Sequence, residues 1–306
     1  MITAITALLR KKSLLHFLSD IKIEHSIFAL PFATVAIFYT KPQFFDLNTA
    51  TFLLACMVSA RTFAMGINRY LDRFIDAKNP RTKNRKIPSG LLTARAALFW
   101  SLVAGLLFML ASYQLNKLAF YLSPLVLIIL AIYPLLKRHT MLCHFYLGTC
   151  LGISVLAVEV ALAGKLSLPI ILLGLGLTFW TAGFDICYAL LDLDFDRSVG
   201  LYSAPSTLGW SRALFISRLC FLASLSLLGS VGLVVKAGYF YYLGIMAVGT
   251  IFIAIQQKIS PQTVASSTNS LLFLGLNTWV SPIYLLFVAL DVFISTYPID
   301  LASFFK

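Results

Sequence analysis

The sequence predicts an all-α, polytopic membrane protein: about nine transmembrane helices in two pseudo-repeated halves around a central cavity. Three observations predict it. The 306 residues are 59% hydrophobic and only 12% charged, against about 25% charged in an ordinary soluble domain. The mean hydropathy is +0.88, too high for a water-soluble globule with one core. The apolar runs approach the roughly 20 residues that a helix needs to cross the hydrocarbon. They do not alternate, as the strands of a transmembrane barrel would. Disorder, a coiled coil and a disulfide scaffold fail on the same composition. The five cysteines stand apart with no C-x-x-C pair, and read as small buried hydrophobes. The whole chain, 1–306, reads as a single integral-membrane domain.

A sliding apolar window places spans at about 24–41, 49–77, 92–115, 118–136, 142–163, 168–192, 211–236, 239–257 and 267–291. Pro42, Pro169 and Pro261 fall in the connections. The short apolar N-terminus lacks the form of a signal peptide. Orientation comes from 24 Lys and Arg against 12 Asp and Glu. Arg10, Lys11, Lys12 and Lys22 precede the first span; Lys78 to Lys86 follow the second; Lys137 and Arg138 follow the fourth; Arg197 follows the sixth and Lys258 the eighth. These fall on one side, which the positive-inside rule assigns to the cytoplasm together with the N-terminus. The net charge of +12 is therefore a topology signal, and nucleic acid is not expected as a partner.

Six of the 12 acids, Asp72, Asp76, Asp185, Asp192, Asp194 and Asp196, lie at the cytoplasmic ends of the second and sixth spans. Asn68, Asp72 and Asp76 read N-x-x-x-D-x-x-x-D, and residues four apart share a helix face. Arg61, seven residues before Asn68, extends that stripe inward. Asp192 and Asp196 are again four apart, with Asp185 seven before Asp192, so the sixth span is expected to carry the same stripe. A carboxylate in the bilayer core costs about 2.5–3.5 kcal/mol on insertion scales. Two such rows call for a cation between them. Carboxylates and an amide are hard oxygen donors suited to Mg²⁺, which joins one or two carboxylates to a substrate phosphate.

The connection after Asp76 carries Lys78, Arg81, Lys83, Arg85 and Lys86. A basic loop beside a carboxylate–metal cluster is a natural diphosphate clamp. The connection after Asp196 carries Arg197 and is less basic. Pro88-Ser89 precedes Arg95-Ala96, and Pro205-Ser206 precedes Arg212-Ala213, with seven residues from Pro to Arg in both. We read this as an internal duplication facing two equivalent helix ends across one cavity.

At these residues the sequence resembles the UbiA superfamily of intramembrane aromatic prenyltransferases. The resemblance covers nearly the whole chain. It rests on Asn68, Asp72 and Asp76, on the NPRT-x-x-R loop at 79–85, and on Tyr188, Asp192 and Asp196. The stretches from Glu24-His25 to Pro31, from Ala182 through Asp185 to Ile186, and from Tyr133 to Lys137-Arg138 resemble the 4-hydroxybenzoate polyprenyltransferase branch. That branch includes relatives acting on a dihydroxynaphthoate in the futalosine route to menaquinone.

The resemblance implies transfer of a polyprenyl group from its diphosphate to an aromatic acid, ortho to a phenol, in ubiquinone or menaquinone biosynthesis. It implies Mg²⁺ held by Asn68, Asp72, Asp192 and Asp196, with Asp76 as a further ligand or directly behind them. Lys78, Arg81, Arg85 and Arg197 would hold diphosphate. Tyr70, Tyr188 and Phe184 either shield the allylic cation or simply pack. Arg61 and Lys137 are available to the acceptor carboxylate, though Arg61 serves equally to neutralise the neighbouring acids. Asp185 either takes the ring proton or orients the phenol, or makes a structural hydrogen bond. Glu159 lies within the fifth span with no evident partner, and His25 and His144 read as caps or polar packing. The implied setting is the bacterial inner membrane, the site facing the cytoplasm and the prenyl tail lying in the lipid bilayer. Two rival classes remain: a membrane cation transporter, whose acids would sit nearer the midplane, and a prenyl-group enzyme with a haem- or chlorophyll-type acceptor.

Overall fold

The computed structural model describes residues 12–22, 30–40, 45–260 and 275–296. Short helices α1 (12–20) and α2 (Leu30–Thr40) lead into α3 (Leu47–Lys78), α4 (Ala94–Leu115), α5 (Lys117–Leu136), α6 (Cys143–Ala163) and α7 (Leu168–Ala189). A 3₁₀ turn (Leu190–Asp192) joins α7 to α8 (Leu193–Val199). Then come α9 (Ala204–Leu208), α10 (Trp210–Val235), α11 (Tyr239–Lys258) and α12 (Val280–Thr296). Eight helices are long and apolar enough to cross a membrane, and α2 is a shorter apolar helix. The described residues contain no strand.

Local chemistry sets the boundaries. Asp46 caps α3 by accepting the Thr49 N–H at 2.8 Å, satisfying one of the orphan donors of a first turn. Gly164 ends α6 at φ +63°, a left-handed position where a side chain would be strained. Pro169 does not lie in a connection as the sequence suggested; it occupies the first turn of α7, where its missing N–H costs nothing. The last span also differs from expectation. Asp291, at the expected end, is buried and its carboxylate accepts N–H groups of Gly238 and Tyr241. With that charge satisfied, α12 runs on to Thr296. Residues 267–274 of the expected span lie outside the described residues.

The packing is that of a protein solvated by lipid. Phe99, Leu102, Leu106 and Leu110 of α4 and Tyr121, Leu125 and Ile128 of α5 are exposed, whereas Ser101, Ser112, Ser217 and Ser224 are buried. Each of these serines donates to a helix carbonyl, so no hydroxyl among them is stranded in hydrocarbon. The main apolar core joins α2, α6, α7, α10, α11 and α12. Helix α3 packs most on α4, and α7 packs on both α10 and α6.

Helices α6 and α7 approach closely through glycines. A Cβ on Gly148 would lie 2.2 Å from the Thr178 carbonyl oxygen, and one on Gly152 would lie 2.6 Å from that of Gly174. Neither backbone oxygen can yield without moving a helix. This is small-residue packing at four-residue spacing, which lets backbones meet where no hydrophobic drive operates. Gly148→Val is expected to destabilise the protein by about 1–3 kcal/mol, read as a lowered Tm in detergent. An unchanged Tm would remove this account of the contact.

Candidate active site

The two acid-bearing helix ends meet at one end of the bundle. Asn79, the residue that caps α3, donates from Nδ2 to Asp192 Oδ1 at 3.0 Å. Arg81, two residues on, makes a forked contact with the same carboxylate: Nε to Oδ1 at 3.0 Å and Nη2 to Oδ2. Its Nη1 donates to the Tyr188 hydroxyl, and the guanidinium lies 4.9 Å from that ring's centre. Burial draws the Arg81 guanidinium down, but its hydrogen bonds and charge contacts with Asp192 and Tyr188 outweigh this, and its pKa is raised. Arg81 thus stays a full cation between the two halves.

On α3 the stripe forms as its spacing predicts. Asn68 donates to Asp72 at 3.4 Å, and Asp72 and Asp76 are 1% and 5% exposed. Carboxylates so deeply placed need cations. Lys137 Nζ lies 2.5 Å from Asp72 Oδ2, Arg138 Nη2 lies 3.4 Å from Oδ1, and Arg85 Nη1 lies 2.6 Å from Asp76 Oδ2. Arg138 also donates to the Leu71 carbonyl at 2.7 Å.

The second stripe does not repeat the first. Helix α7 gives way to the 3₁₀ turn before Asp192, and three residues per turn instead of 3.6 rotate the side chains beyond it. Asp185, still within α7, pairs with His144, Nδ1 to Oδ2 at 2.7 Å. Asp196 lies in the first turn of α8. Among the described residues no three acidic, histidine or cysteine side chains converge to hold a metal ion. The expected donors are four carboxylates and the Asn68 amide, of which Asp72, Asp76 and Asp192 each meet a basic side chain.

Of the residues expected to bind substrate, Arg81, Arg85 and Lys137 face the acids. Lys78 is exposed at the end of α3 and, with Arg138, Phe74 and Leu201, lines a separate crevice of about 290 Å³. Arg197 turns to the Ser206 carbonyl at 3.3 Å. Arg61 is half-buried on α3, about three helical turns before Asp72. Tyr188 holds Arg81, Tyr70 lies under the Arg73 guanidinium at 4.5 Å, and Phe184 packs against the main core.

The sequence reading missed Asn79, Arg138 and His144. Asn79 and Arg138 adjoin residues that were singled out, but nothing local marks which of two neighbours will face across the bundle. Glu159 is not without a partner: it accepts the Ser167 N–H at 2.7 Å, bracing the α6–α7 connection at the opposite end. His25 lies outside the described residues.

Residues 29–280, which hold both acid-bearing helix ends, match the model of the UbiA prenyltransferase family. The chain belongs to this family. Among similar curated proteins, the 4-hydroxybenzoate octaprenyltransferase of Tolumonas auensis is 36% identical over 175 residues, 55% of this chain and 61% of that protein. The protein of the same name from Sodalis glossinidius is 34% identical over 214 residues, 70% of this chain and 73% of its own length. The matched segment thus spans about three fifths of the first relative's length. Among solved structures, an apo UbiA homolog from Aeropyrum pernix superposes with a TM-score of 0.74 at 30% identity, over 90% of this chain and 98% of that one. A UbiA homolog from Archaeoglobus fulgidus bound to DMAPP and Mg²⁺ shares the fold, with a TM-score of 0.66 at 19% identity over 91% of this chain and 99% of that one. Family membership and eight apolar helices make this an integral membrane protein.

Proposed function

We propose that the protein transfers a polyprenyl group from its diphosphate to a 4-hydroxybenzoate-type aromatic acid, releasing diphosphate, as a step of respiratory quinone biosynthesis. The observation that carries this reading is the Arg81 fork onto Asp192: an arginine of the first half's basic loop spans to a carboxylate of the second half. It concentrates diphosphate-binding cations and acids at one bundle end. The names of the Tolumonas and Sodalis relatives support the acceptor class.

In the reaction, the allylic carbon–oxygen bond breaks, its electron pair leaving with diphosphate. The ring carbon ortho to the phenol bonds to the allylic carbon and then gives up its proton to the released diphosphate. Arg81, Arg85 and Lys137 offer cations where negative charge develops on the leaving oxygen, the point at which stabilisation lowers the barrier. As diphosphate draws them off, Asp192, Asp76 and Asp72 are uncovered. These carboxylates with Asp196 and the Asn68 amide make a hard-oxygen donor set, and such donors fit a divalent cation. They are the residues that would hold Mg²⁺, which supplies Lewis-acid neutralisation of diphosphate when bound. A site enclosed by helices keeps water from the allylic cation. Arg61 is assigned to the acceptor carboxylate, and Asp185 to its phenol. The prenyl tail, at about 0.8 kcal/mol per buried CH₂, lies in the bilayer. The Lys- and Arg-rich loops support a cytoplasmic setting for this end, in a bacterial inner membrane.

The test is purified protein with geranyl diphosphate, Mg²⁺ and a panel of acceptors. The expected product is prenylated 4-hydroxybenzoate. Prenylation of 1,4-dihydroxy-6-naphthoate alone would move the protein to the futalosine route, and no transfer to any aromatic acid would end the proposal. Arg61→Ala is expected to raise KM for the acceptor about 10-fold, one charge-assisted contact's worth, and to leave KM for the diphosphate unchanged. A change confined to the diphosphate KM would assign Arg61 to the clamp.

A further inference from the structure

His144 makes two hydrogen bonds that fix its orientation and couple two parts of the site. It opens α6 and is 2% exposed. Its Nε2 lies 3.0 Å from the backbone N of Ala204, and its Nδ1 lies 2.7 Å from Asp185 Oδ2. Ala204 begins α9, so its N–H has no partner within that helix. A backbone N–H can only donate, so Nε2 must accept. A neutral imidazole then carries its proton on Nδ1 and donates it to Asp185. An imidazolium would set two N–H groups against each other at Nε2.

Asp185 is oriented by the same contact. Its side chain retains 26% of its surface accessible, against 3% for His144. Its Oδ2 is turned to the histidine and held there by the hydrogen bond. The accessible remainder is an oriented carboxylate edge. The same imidazole anchors the start of α9, and through it the connection that carries Asp196 and Arg197. Two further bonds clamp this connection: Tyr202 N–H to the Lys137 carbonyl at 2.7 Å, and the Cys143 thiol to the Tyr202 carbonyl at 3.5 Å.

We propose that His144 is a positioning residue for the aromatic acceptor: by hydrogen-bonding Asp185 it presents that carboxylate in one orientation to the acceptor's phenolic hydroxyl. The acceptor is thereby one that carries a ring O–H to donate. This inference rests on the aromatic prenyltransferase reading above and deepens it. Its signature is selective, because His144 hydrogen-bonds Asp185 and the Ala204 backbone and none of Arg81, Arg85 and Lys137, the cations placed at the diphosphate.

The experiment uses the full chain in lipid nanodiscs. His144→Leu fills similar space without hydrogen bonds; His144→Gln offers one donor and one acceptor. His144→Leu is expected to lower kcat/KM for 4-hydroxybenzoate about 10- to 100-fold, the loss of one hydrogen bond to a charged group. KM for geranyl diphosphate should stay within about 2-fold, and His144→Gln should recover most of the activity. A second readout needs no catalysis: 4-hydroxybenzoate should raise the Tm of the wild type and of His144→Gln, and fail to raise that of His144→Leu. Wild-type values in His144→Leu, or a loss shared equally by both substrates, overturn the inference. If His144→Leu does not accumulate, a His144→Gln protein that has lost the acceptor-induced Tm shift overturns it. Failure of the wild type to prenylate any aromatic acid is a different result, and ends the functional reading itself.

Discussion

Asp72→Asn is expected to abolish prenyl transfer, with a loss on the order of 10³-fold or more. Asp72 is 1% exposed, accepts from Lys137 at 2.5 Å and Arg138 at 3.4 Å, and also takes a bond from Asn68. Asparagine keeps its shape and removes its charge. Lys137 and Arg138 are about a third exposed, so both can turn to water, and the cost in stability stays below the roughly 3–5 kcal/mol of a fully buried broken pair. The variant should therefore accumulate in membranes and elute as the wild type does. The measurement is product formed from geranyl diphosphate across a series of Mg²⁺ concentrations. If Asp72 helps hold the cation, excess Mg²⁺ restores part of the rate. If it only seats Lys137 and Arg138, no Mg²⁺ concentration does so. Wild-type activity in Asp72→Asn would remove this carboxylate from the site.

Arg81→Ala is expected to lower kcat/KM for the prenyl diphosphate on the order of 10²- to 10³-fold, the usual cost of deleting one group that stabilises developing negative charge. The fork onto Asp192 and the hydrogen bond to Tyr188 disappear together. Arg81→Lys should recover little, since an ammonium cannot reproduce a planar two-toothed contact. Tyr188→Phe keeps the ring beneath the guanidinium and loses only the hydroxyl, so its effect should be about 10-fold or less. Asn79 still joins the halves at 3.0 Å, so the protein should fold in each case. Steady-state constants for both substrates check this set. If Arg81→Ala raised only the acceptor KM, the residue would belong to the acceptor wall instead.

Much of this site is legible in the chain itself, and particular residues show where legibility stops. The α3 stripe of Asn68, Asp72 and Asp76 comes from spacing, because 3.6 residues per turn put every fourth residue on one face whatever surrounds it. The same arithmetic fails for Asp185, Asp192 and Asp196. The 3₁₀ turn at Leu190–Asp192 breaks the register, and no glycine or proline in that stretch announces it. Lys78 and Arg81 sit three residues apart in one basic loop, yet one lines an outer crevice and the other spans to the second half. Asn79, Arg138 and His144 gain their importance from partners 41 to 113 positions away.

Composition and periodicity determined by themselves that this protein is a bundle of membrane-crossing helices with half of its acids and most of its cations at one end. Those properties depend on transfer to lipid and on helical repeat, both of which act over a few neighbouring residues. Only the tertiary structure decided which cation meets which carboxylate, that Asp185 belongs to His144, and that Asp291 and Glu159 are satisfied within the bundle. Those pairings depend on how helices approach one another, and that is set by packing between segments far apart in the chain.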